Sequence, residues 1–166
     1  MISVLIVDDQ ALVRTGLQML CDSAADIEVA AEADSGEPAV RLARDLSPDV
    51  VLMDLHMPGM DGIEATAGIT ASAPAARIVV LTTFDDDDHL YPALQAGACG
   101  FLAKHAAPDR ILAAIRAAAN NERPFSPEVL ARLVGRAVAH STAPERTPLT
   151  PRERAYSIPT GGPPRA

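Results

Sequence analysis

Short apolar runs alternate along the chain with longer segments in which apolar residues recur every three or four positions. The runs consist mainly of Val, Ile and Leu and have the length of buried strands. The longer segments have helical spacing, as in Val13, Leu17 and Leu20. The pattern predicts strands at 2–7, 27–33, 50–53, 77–82 and 100–103, and helices near 10–21, 36–45, 61–72, 85–96 and 108–119.

The regular alternation of strands and helices predicts an α/β fold. Right-handed crossovers would wind the five units into a (βα)5 doubly wound parallel sheet with helices on both faces. Hydrophobic residues make up 48% of the chain and aromatic residues only 3%. The core must therefore consist mainly of aliphatic side chains, as is usual for a parallel sheet covered by helices.

The pattern changes after residue 119. Residues 127–140 have the spacing of one amphipathic helix, and the residues after them are rich in Pro, Thr and Gly. We therefore expect a domain over 1–120, a linker with one helix over 121–147, and a separate tail over 148–166.

Charge is distributed unevenly. Residues 1–119 carry 18 acidic and 7 basic side chains, whereas residues 120–166 carry 4 and 7. An acidic first part is a poor nucleic-acid surface, because phosphate contacts need Lys and Arg.

The two cysteines have no disulfide or zinc spacing, and no signal peptide or membrane-spanning run is present. We expect a cytoplasmic protein without membrane contact.

Polar residues stand where four of the predicted strands end. They are Asp8 and Asp9 after the first strand, Asp54 after the third, Thr82 in the fourth and Lys104 after the fifth. The carboxyl ends of parallel strands share one edge of the sheet, where ligands of open α/β folds bind. We expect the five side chains to meet there.

Three neighbouring carboxylates need a cation, because their mutual repulsion opposes ionisation of all three. The candidate ligand atoms are all oxygens, and no His or Cys cluster accompanies them, which favours Mg²⁺ as the cation. Asp8 and Asp9 taken alone have a second interpretation as caps of the following helix. Asp54 has no comparable structural role, because a buried charge is costly unless it is compensated.

An aspartate beside a bound divalent cation can act as a carboxylate nucleophile and accept a phosphoryl group. Lys104 and the cation would neutralise charge on the phosphoryl oxygens, and the Thr82 hydroxyl would donate a hydrogen bond to one of them. Asp54 is therefore the candidate phosphoacceptor.

Four segments resemble the receiver domain of bacterial two-component response regulators: "VLIVDDQ", "VVLMDLHMPGMDGIEA", "IVVLTTF" and "AGACGFLAK". The resemblance covers residues 1–120 and implies a flavodoxin-like receiver fold with strand order 2-1-3-4-5. It also implies Mg²⁺ as the cofactor and phosphohistidine on a sensor histidine kinase as the phosphodonor.

Matched residue by residue, the resemblance implies a role for each polar position. Asp8, Asp9 and Asp54 would bind the metal, with the backbone carbonyl of His56 as a further ligand. The remaining roles are the switch hydroxyl of Thr82, the switch aromatic ring of Phe101, the phosphate-binding amine of Lys104, and side chains at His56 and Phe84 that tune hydrolysis.

The segment "PLTPRER" (148–154) is similar to the start of the helix-turn-helix domain of NarL/FixJ regulators, the LuxR-type subfamily. The following "AYSIPTGGPPRA" departs from that pattern, because its Gly and Pro residues disfavour a helix. We expect 148–166 to be a disordered remnant of that domain. DNA binding would then need a complete C-terminal domain, which this chain lacks.

The leading interpretation is a phosphorylation switch with a histidine kinase as partner and homodimerisation as the response. In this interpretation, we expect the chain to catalyse only its own phosphotransfer and dephosphorylation and not to be an enzyme in any other sense. One alternative is a haloacid-dehalogenase-like phosphatase, although His56 stands where those enzymes place a second acid. Another is a phosphorylation-independent binding module. A dinucleotide site is disfavoured, because "DDQALVRTG" replaces GxGxxG after the first strand.

Overall fold

The structure is a computed structural model that describes residues 1–83 and 87–142. It contains strands β1 (Ile2–Val7), β2 (Ile27–Ala33), β3 (Val50–Asp54), β4 (Arg77–Thr82) and β5 (Gly100–Ala103). The helices are α1 (Ala11–Asp22), α2 (Gly36–Leu46), α3 (Gly62–Ser72), α4 (Asp87–Ala96), α5 (Pro108–Ala119) and α6 (Pro127–Thr142). Every predicted element is present with its predicted type. The predicted start of α4 at 85–86 lies outside the described residues.

The five strands form one parallel sheet in the order β2-β1-β3-β4-β5. This confirms the doubly wound fold and the strand order of the flavodoxin-like class. In the register of β3 and β4, Asp54 lies opposite Leu81. The reversal of strand order falls between β1 and β3, so the carboxyl ends of these two strands form the crevice in which such folds bind ligands.

Helices cover both faces of the sheet. Helices α1 and α5 contact each other on one face, while α2, α3 and α4 contact in series on the other. Strand β3 is buried along its whole length, which explains its continuous apolar sequence before Asp54. The core is aliphatic as predicted, and Phe101 is the largest fully buried side chain among the residues that the structure describes.

A three-residue segment, which we call the edge strap (Pro124–Ser126), runs along the free edge of β5. The amide of Phe101 donates to the carbonyl of Pro124 at 2.9 Å, and the amide of Ser126 donates to the carbonyl of Phe101 at 3.0 Å. Gly100 makes this approach possible, because a Cβ there would lie 2.3 Å from the Pro124 oxygen. The strap covers backbone groups that an edge strand otherwise exposes.

The chain divides into two compact units, Met1–Leu130 and Ala131–Ala166. Of the second unit, the structure describes the remainder of α6 to Thr142. The predicted tail at 148–166 therefore lies outside the described residues, and the domain boundary near residue 120 stays a prediction. Within residues 1–83 and 87–142, no helix is both long and apolar enough to cross a bilayer.

Candidate functional site

Asp54 is the last residue of β3 and is only 2% exposed. The chain then turns sharply into the loop that leads to α3, and the amide of Gly62 donates back to the Leu55 carbonyl at 2.9 Å. A Cβ at Gly62 would lie 2.2 Å from the backbone oxygen of Asp54. Glycine is therefore needed at this position so that α3 can start directly against the strand end.

Asp8 lies at the end of β1 and is completely buried. Its Oδ1 accepts a hydrogen bond from the amide of Gln10 at 2.8 Å, and its backbone carbonyl accepts one from Arg14 Nη1 at 2.7 Å. The N-cap of α1 is Gln10. Asp8 and Asp9 are therefore not at the N-cap of this helix, although the Asp8 carboxylate holds the backbone of the turn before it.

The carboxylates of Asp8, Asp9 and Asp54 each place an oxygen within 4.8 Å of the other two. Asp9 is exposed, whereas the other two are buried, so the cluster opens to solvent on one side. Among the described residues, the buried Oδ2 of Asp54 has no hydrogen-bond partner. An all-oxygen donor set with an unpartnered buried oxygen fits a hard divalent cation such as Mg²⁺.

Lys104 joins the cluster from the end of β5. Its Nζ lies 3.0 Å from Oδ2 of Asp8 and 3.2 Å from Oδ1 of Asp54. The backbone fixes this position, because the Lys104 amide donates to the carbonyl of Thr82 at 2.7 Å. The lysine thus supplies one positive charge between two buried carboxylates.

The pKa values at the site reflect burial and charge together. Burial and the charge of Asp8 raise the pKa of Asp54 from 3.8 to about 6, although Lys104 opposes the shift. Burial alone would lower the pKa of Lys104, but its hydrogen bond to Asp8 and the charges of Asp54 and Asp8 raise it. The ionised carboxylate of Asp54 is therefore held at a cost that a bound cation would reduce.

Thr82 and Phe101 lie in the adjacent strands β4 and β5. Thr82 follows Leu81, the register partner of Asp54, and its buried hydroxyl is 3.4 Å from the carbonyl of Leu102. The ring of Phe101 is fully buried and stacks on Phe125 of the edge strap, with ring centroids 5.6 Å apart. Both positions suit the expected switch roles, which themselves stay predictions.

His56 and Phe84 complete the set of positions singled out in the sequence. The amide of His56 lies 3.4 Å from Oδ1 of Asp54, so the start of this loop is held against the carboxylate. Its proposed role as a metal ligand through the carbonyl stays a prediction. Phe84 lies outside the described residues.

Two residues near the site were not found from the sequence. Arg14 holds the backbone of Asp8 and forms an ion pair with Glu32 at 3.3 Å. Phe125 covers the ring of Phe101. The position of Arg14, one turn into α1, is a weak sequence signal for its role. No local pattern indicates the role of Phe125, because its partner Phe101 lies in a strand that is distant in sequence.

Comparison with known proteins agrees with this geometry. The family model described as response regulator receiver domain matches residues 4–116. The transcriptional regulatory protein LiaR of Bacillus subtilis is 47% identical over 136 residues, covering 82% of this chain and 64% of LiaR. The response regulator GacA of Pseudomonas aeruginosa is 41% identical over 133 residues, covering 80% of this chain and 62% of GacA.

Solved structures show the same relationship. A LuxR-family two-component response regulator from Aurantimonas sp. is 35% identical and superposes with a TM-score of 0.76, covering 82% of this chain and 97% of the other. The isolated receiver domain of RcsB from Salmonella enterica, solved with the phosphomimetic BeF3⁻, is 25% identical with a TM-score of 0.71, covering 79% and 97%.

The chain belongs to the response regulator receiver family, and its relatives are LuxR/NarL-type transcriptional regulators. It spans less than two thirds of the length of the first two relatives named above, 64% and 62%.

Proposed function

We propose that the chain is a phosphorylation switch that accepts a phosphoryl group on Asp54 from a phosphohistidine of a sensor histidine kinase, in a reaction that depends on Mg²⁺. One observation carries the proposal: the buried, unpartnered Oδ2 of Asp54 lies in a cluster of three carboxylates. The other oxygen of Asp54 is 3.2 Å from Lys104. These contacts support a nucleophile, a cation site and a counter-charge at the edge of the sheet where β1, β3 and β5 end.

In the transfer step, a carboxylate oxygen of Asp54 forms a bond to phosphorus as the phosphorus–nitrogen bond of the phosphohistidine breaks. The imidazole nitrogen leaves with the electron pair, and Asp54 becomes an aspartyl phosphate. Asp8, Asp9, Asp54 and the His56 carbonyl are the proposed ligands of Mg²⁺. When bound, Mg²⁺ would supply positive charge to the transferring phosphoryl oxygens.

Lys104 and Thr82 respond to the new charge. Lys104 is held by two carboxylates, and conversion of Asp54 to its phosphate moves the negative charge outward to the phosphoryl oxygens. The amine follows and pairs with one of these oxygens. The Thr82 hydroxyl turns from the Leu102 carbonyl and donates to another. A contact of 3.4 Å is long for a hydroxyl donor.

The response then passes through Phe101. Its ring is buried against Phe125, and its backbone exchanges two hydrogen bonds with the edge strap. Ser126 at the end of the strap accepts a hydrogen bond from the amide of Val129 in the first turn of α6. A movement of Phe101 must therefore disturb the start of α6, which connects the switch to the linker helix.

The relatives support a proposal for the wider biological role. LiaR is named as a transcriptional regulator, and RcsB was solved with a phosphomimetic. We propose that this chain controls transcription in a form with a complete DNA-binding domain, that phosphorylation promotes homodimerisation, and that the protein acts in the cytoplasm.

Beryllofluoride tests the switch directly. With Mg²⁺ present, we expect wild-type protein to change its amide NMR spectrum, while Asp54→Asn does not respond. Asp45→Asn is the matched control, because Asp45 is an exposed carboxylate paired with Arg44. An equal response from Asp54→Asn would remove Asp54 from its role. Multiple turnover of a generic phosphate ester would instead favour the phosphatase alternative.

A further inference from the structure

The fold brings together two histidines that are far apart in the sequence. His56 lies in the loop after β3, and His89 lies in α4. Their ring centroids are 5.1 Å apart, with the ring planes at 84°. The sequence gives no hint of this pair, because a helix and a strand separate the two residues and their spacing fits no ligand motif.

The two rings share a pocket of about 320 Å³ with the acidic residues Asp9 and Asp61. Asp61 caps α3, and the cap uses its Oδ1, which accepts from the Glu64 amide at 2.9 Å. Nδ1 of His89 is buried and has no hydrogen-bond partner among the described residues. The negative charge of the two carboxylates in this pocket attracts a cation, and the two imidazole rings offer it nitrogen ligands.

The spacing of the rings fits coordination of one metal ion. Zinc–nitrogen bonds are about 2.0–2.1 Å long, and an imidazole centre lies roughly 1 Å behind its nitrogen. Two imidazoles on a tetrahedral ion therefore place their centroids about 5 Å apart. The observed 5.1 Å agrees with this value.

We propose that the side chains of His56 and His89 bind one late divalent transition metal, Zn²⁺ or Cu²⁺ in particular. Water completes its coordination, and the carboxylates of Asp9 and Asp61 favour positive charge in the same pocket. Nitrogen ligands select such ions over Mg²⁺, which prefers oxygen. Its nitrogen ligands differ from the oxygen ligands of the carboxylate cluster, although Asp9 belongs to that cluster and also lines this pocket. It ties the loop that follows Asp54 to helix α4.

Isothermal titration with Zn²⁺ tests the site, using tag-free protein with Mg²⁺ in large excess. We expect wild-type protein to bind one Zn²⁺, and both His56→Ala and His89→Ala to bind it at least about tenfold more weakly. His105→Ala and His140→Ala are the matched controls, and both should bind as the wild type does. His89→Gln keeps side-chain volume and guards against a folding defect, with circular dichroism as the check.

Electron paramagnetic resonance with Cu²⁺ gives a second measurement. Coordination by both rings would produce hyperfine structure from two nitrogens, which each single variant reduces to one. Zn²⁺ binding that survives in both histidine variants would overturn the proposal. So would binding that is lost in Asp54→Asn rather than in the histidine variants. Phosphorylation of Asp54 in His89→Ala is a separate measurement, so failure of one proposal does not decide the other.

Discussion

At the residue scale, the central feature is a carboxylate held where burial opposes its charge. Asp54 is 2% exposed, and its pKa is raised to about 6 by burial and by the charge of Asp8. Such a group costs stability when it is ionised, and a bound cation would reduce that cost. The proposed role of Asp54 as phosphoacceptor would explain why an otherwise apolar strand ends in an aspartate.

The raised pKa predicts how Asp54 affects stability. Above about pH 6, the carboxylate is ionised in both the folded and the unfolded state, and the folded state bears the full cost of the buried charge. Below pH 3.8, the carboxyl group is protonated in both states, and this cost disappears. Asp54→Asn should therefore raise the free energy of unfolding without Mg²⁺ at about pH 7.5, by at most about 3 kcal/mol. Urea unfolding of both proteins measures the difference.

The same comparison at about pH 4 is the control. The extra free energy of unfolding of Asp54→Asn should be mostly lost there, because protonation of Asp54 in the wild type removes the cost of its buried charge. Millimolar Mg²⁺ at neutral pH should also narrow the gap, because it stabilises the wild type preferentially. A variant no more stable than the wild type at neutral pH would contradict the electrostatic origin of the raised pKa.

Lys104 would compete with a bound metal ion for the same negative charge. Its Nζ lies 3.0 Å from Asp8 and 3.2 Å from Asp54. Lys104→Gln removes a positive charge beside the cation site, so Mg²⁺ should bind about tenfold more tightly while phosphorylation becomes slower. Calorimetric titration with Mg²⁺ measures the affinity. Arg44→Gln removes an exposed charge elsewhere and should leave it unchanged, and weaker Mg²⁺ binding by Lys104→Gln would refute this role.

At the element scale, the edge strap depends on one glycine. A Cβ at Gly100 would lie 2.3 Å from the Pro124 oxygen, whereas a Cβ at Gly16 in α1 would have no described atom within 4 Å. Gly100→Ala should therefore destabilise the fold by about 2 kcal/mol. Gly16→Ala, the matched control, should stabilise it by about 0.5–1 kcal/mol through helix propensity. Thermal unfolding compares them, and a neutral Gly100→Ala would show that the strap is not tightly held.

The coupling between Phe101 and the strap can be followed with one fluorophore. The chain contains no tryptophan, so Phe125→Trp adds a single reporter against the ring of Phe101. Beryllofluoride with Mg²⁺ should change its emission, and the same reporter in an Asp54→Asn background should stay silent. Unchanged emission in a protein that binds beryllofluoride would separate the strap from the switch.

The elements were largely predictable from the sequence, and the strap was not. Buried parallel strands are short runs of Val, Ile and Leu, and helices are indicated by apolar residues at every third or fourth position. The local sequence pattern was therefore sufficient to predict both kinds of element. The strap has three residues, and its structure depends on hydrogen bonds to Phe101 and on the missing side chain of Gly100. Contacts of that kind are set by the fold and leave no local signal.

At the scale of the whole molecule, topology explains why the acidic cluster was predictable. A parallel sheet collects the ends of its strands at one edge, so Asp8, Asp54 and Lys104 were expected to meet once the strands were assigned. The histidine pair was not foreseen, because a loop and a helix on the same side of the sheet meet only through packing. Sequence thus located the chemistry carried by strand ends and missed the chemistry carried by helix placement.

The most direct test of Asp54 as phosphoacceptor is mass spectrometry after incubation with Mg²⁺ and a small phosphodonor. Wild-type protein should gain one phosphoryl group, located on the peptide that contains Asp54, and removal of Mg²⁺ by a chelator should abolish the gain. Asp54→Asn should gain none. Equal phosphorylation of Asp54→Asn, or a phosphoryl group on another peptide of the wild type, would contradict the assignment.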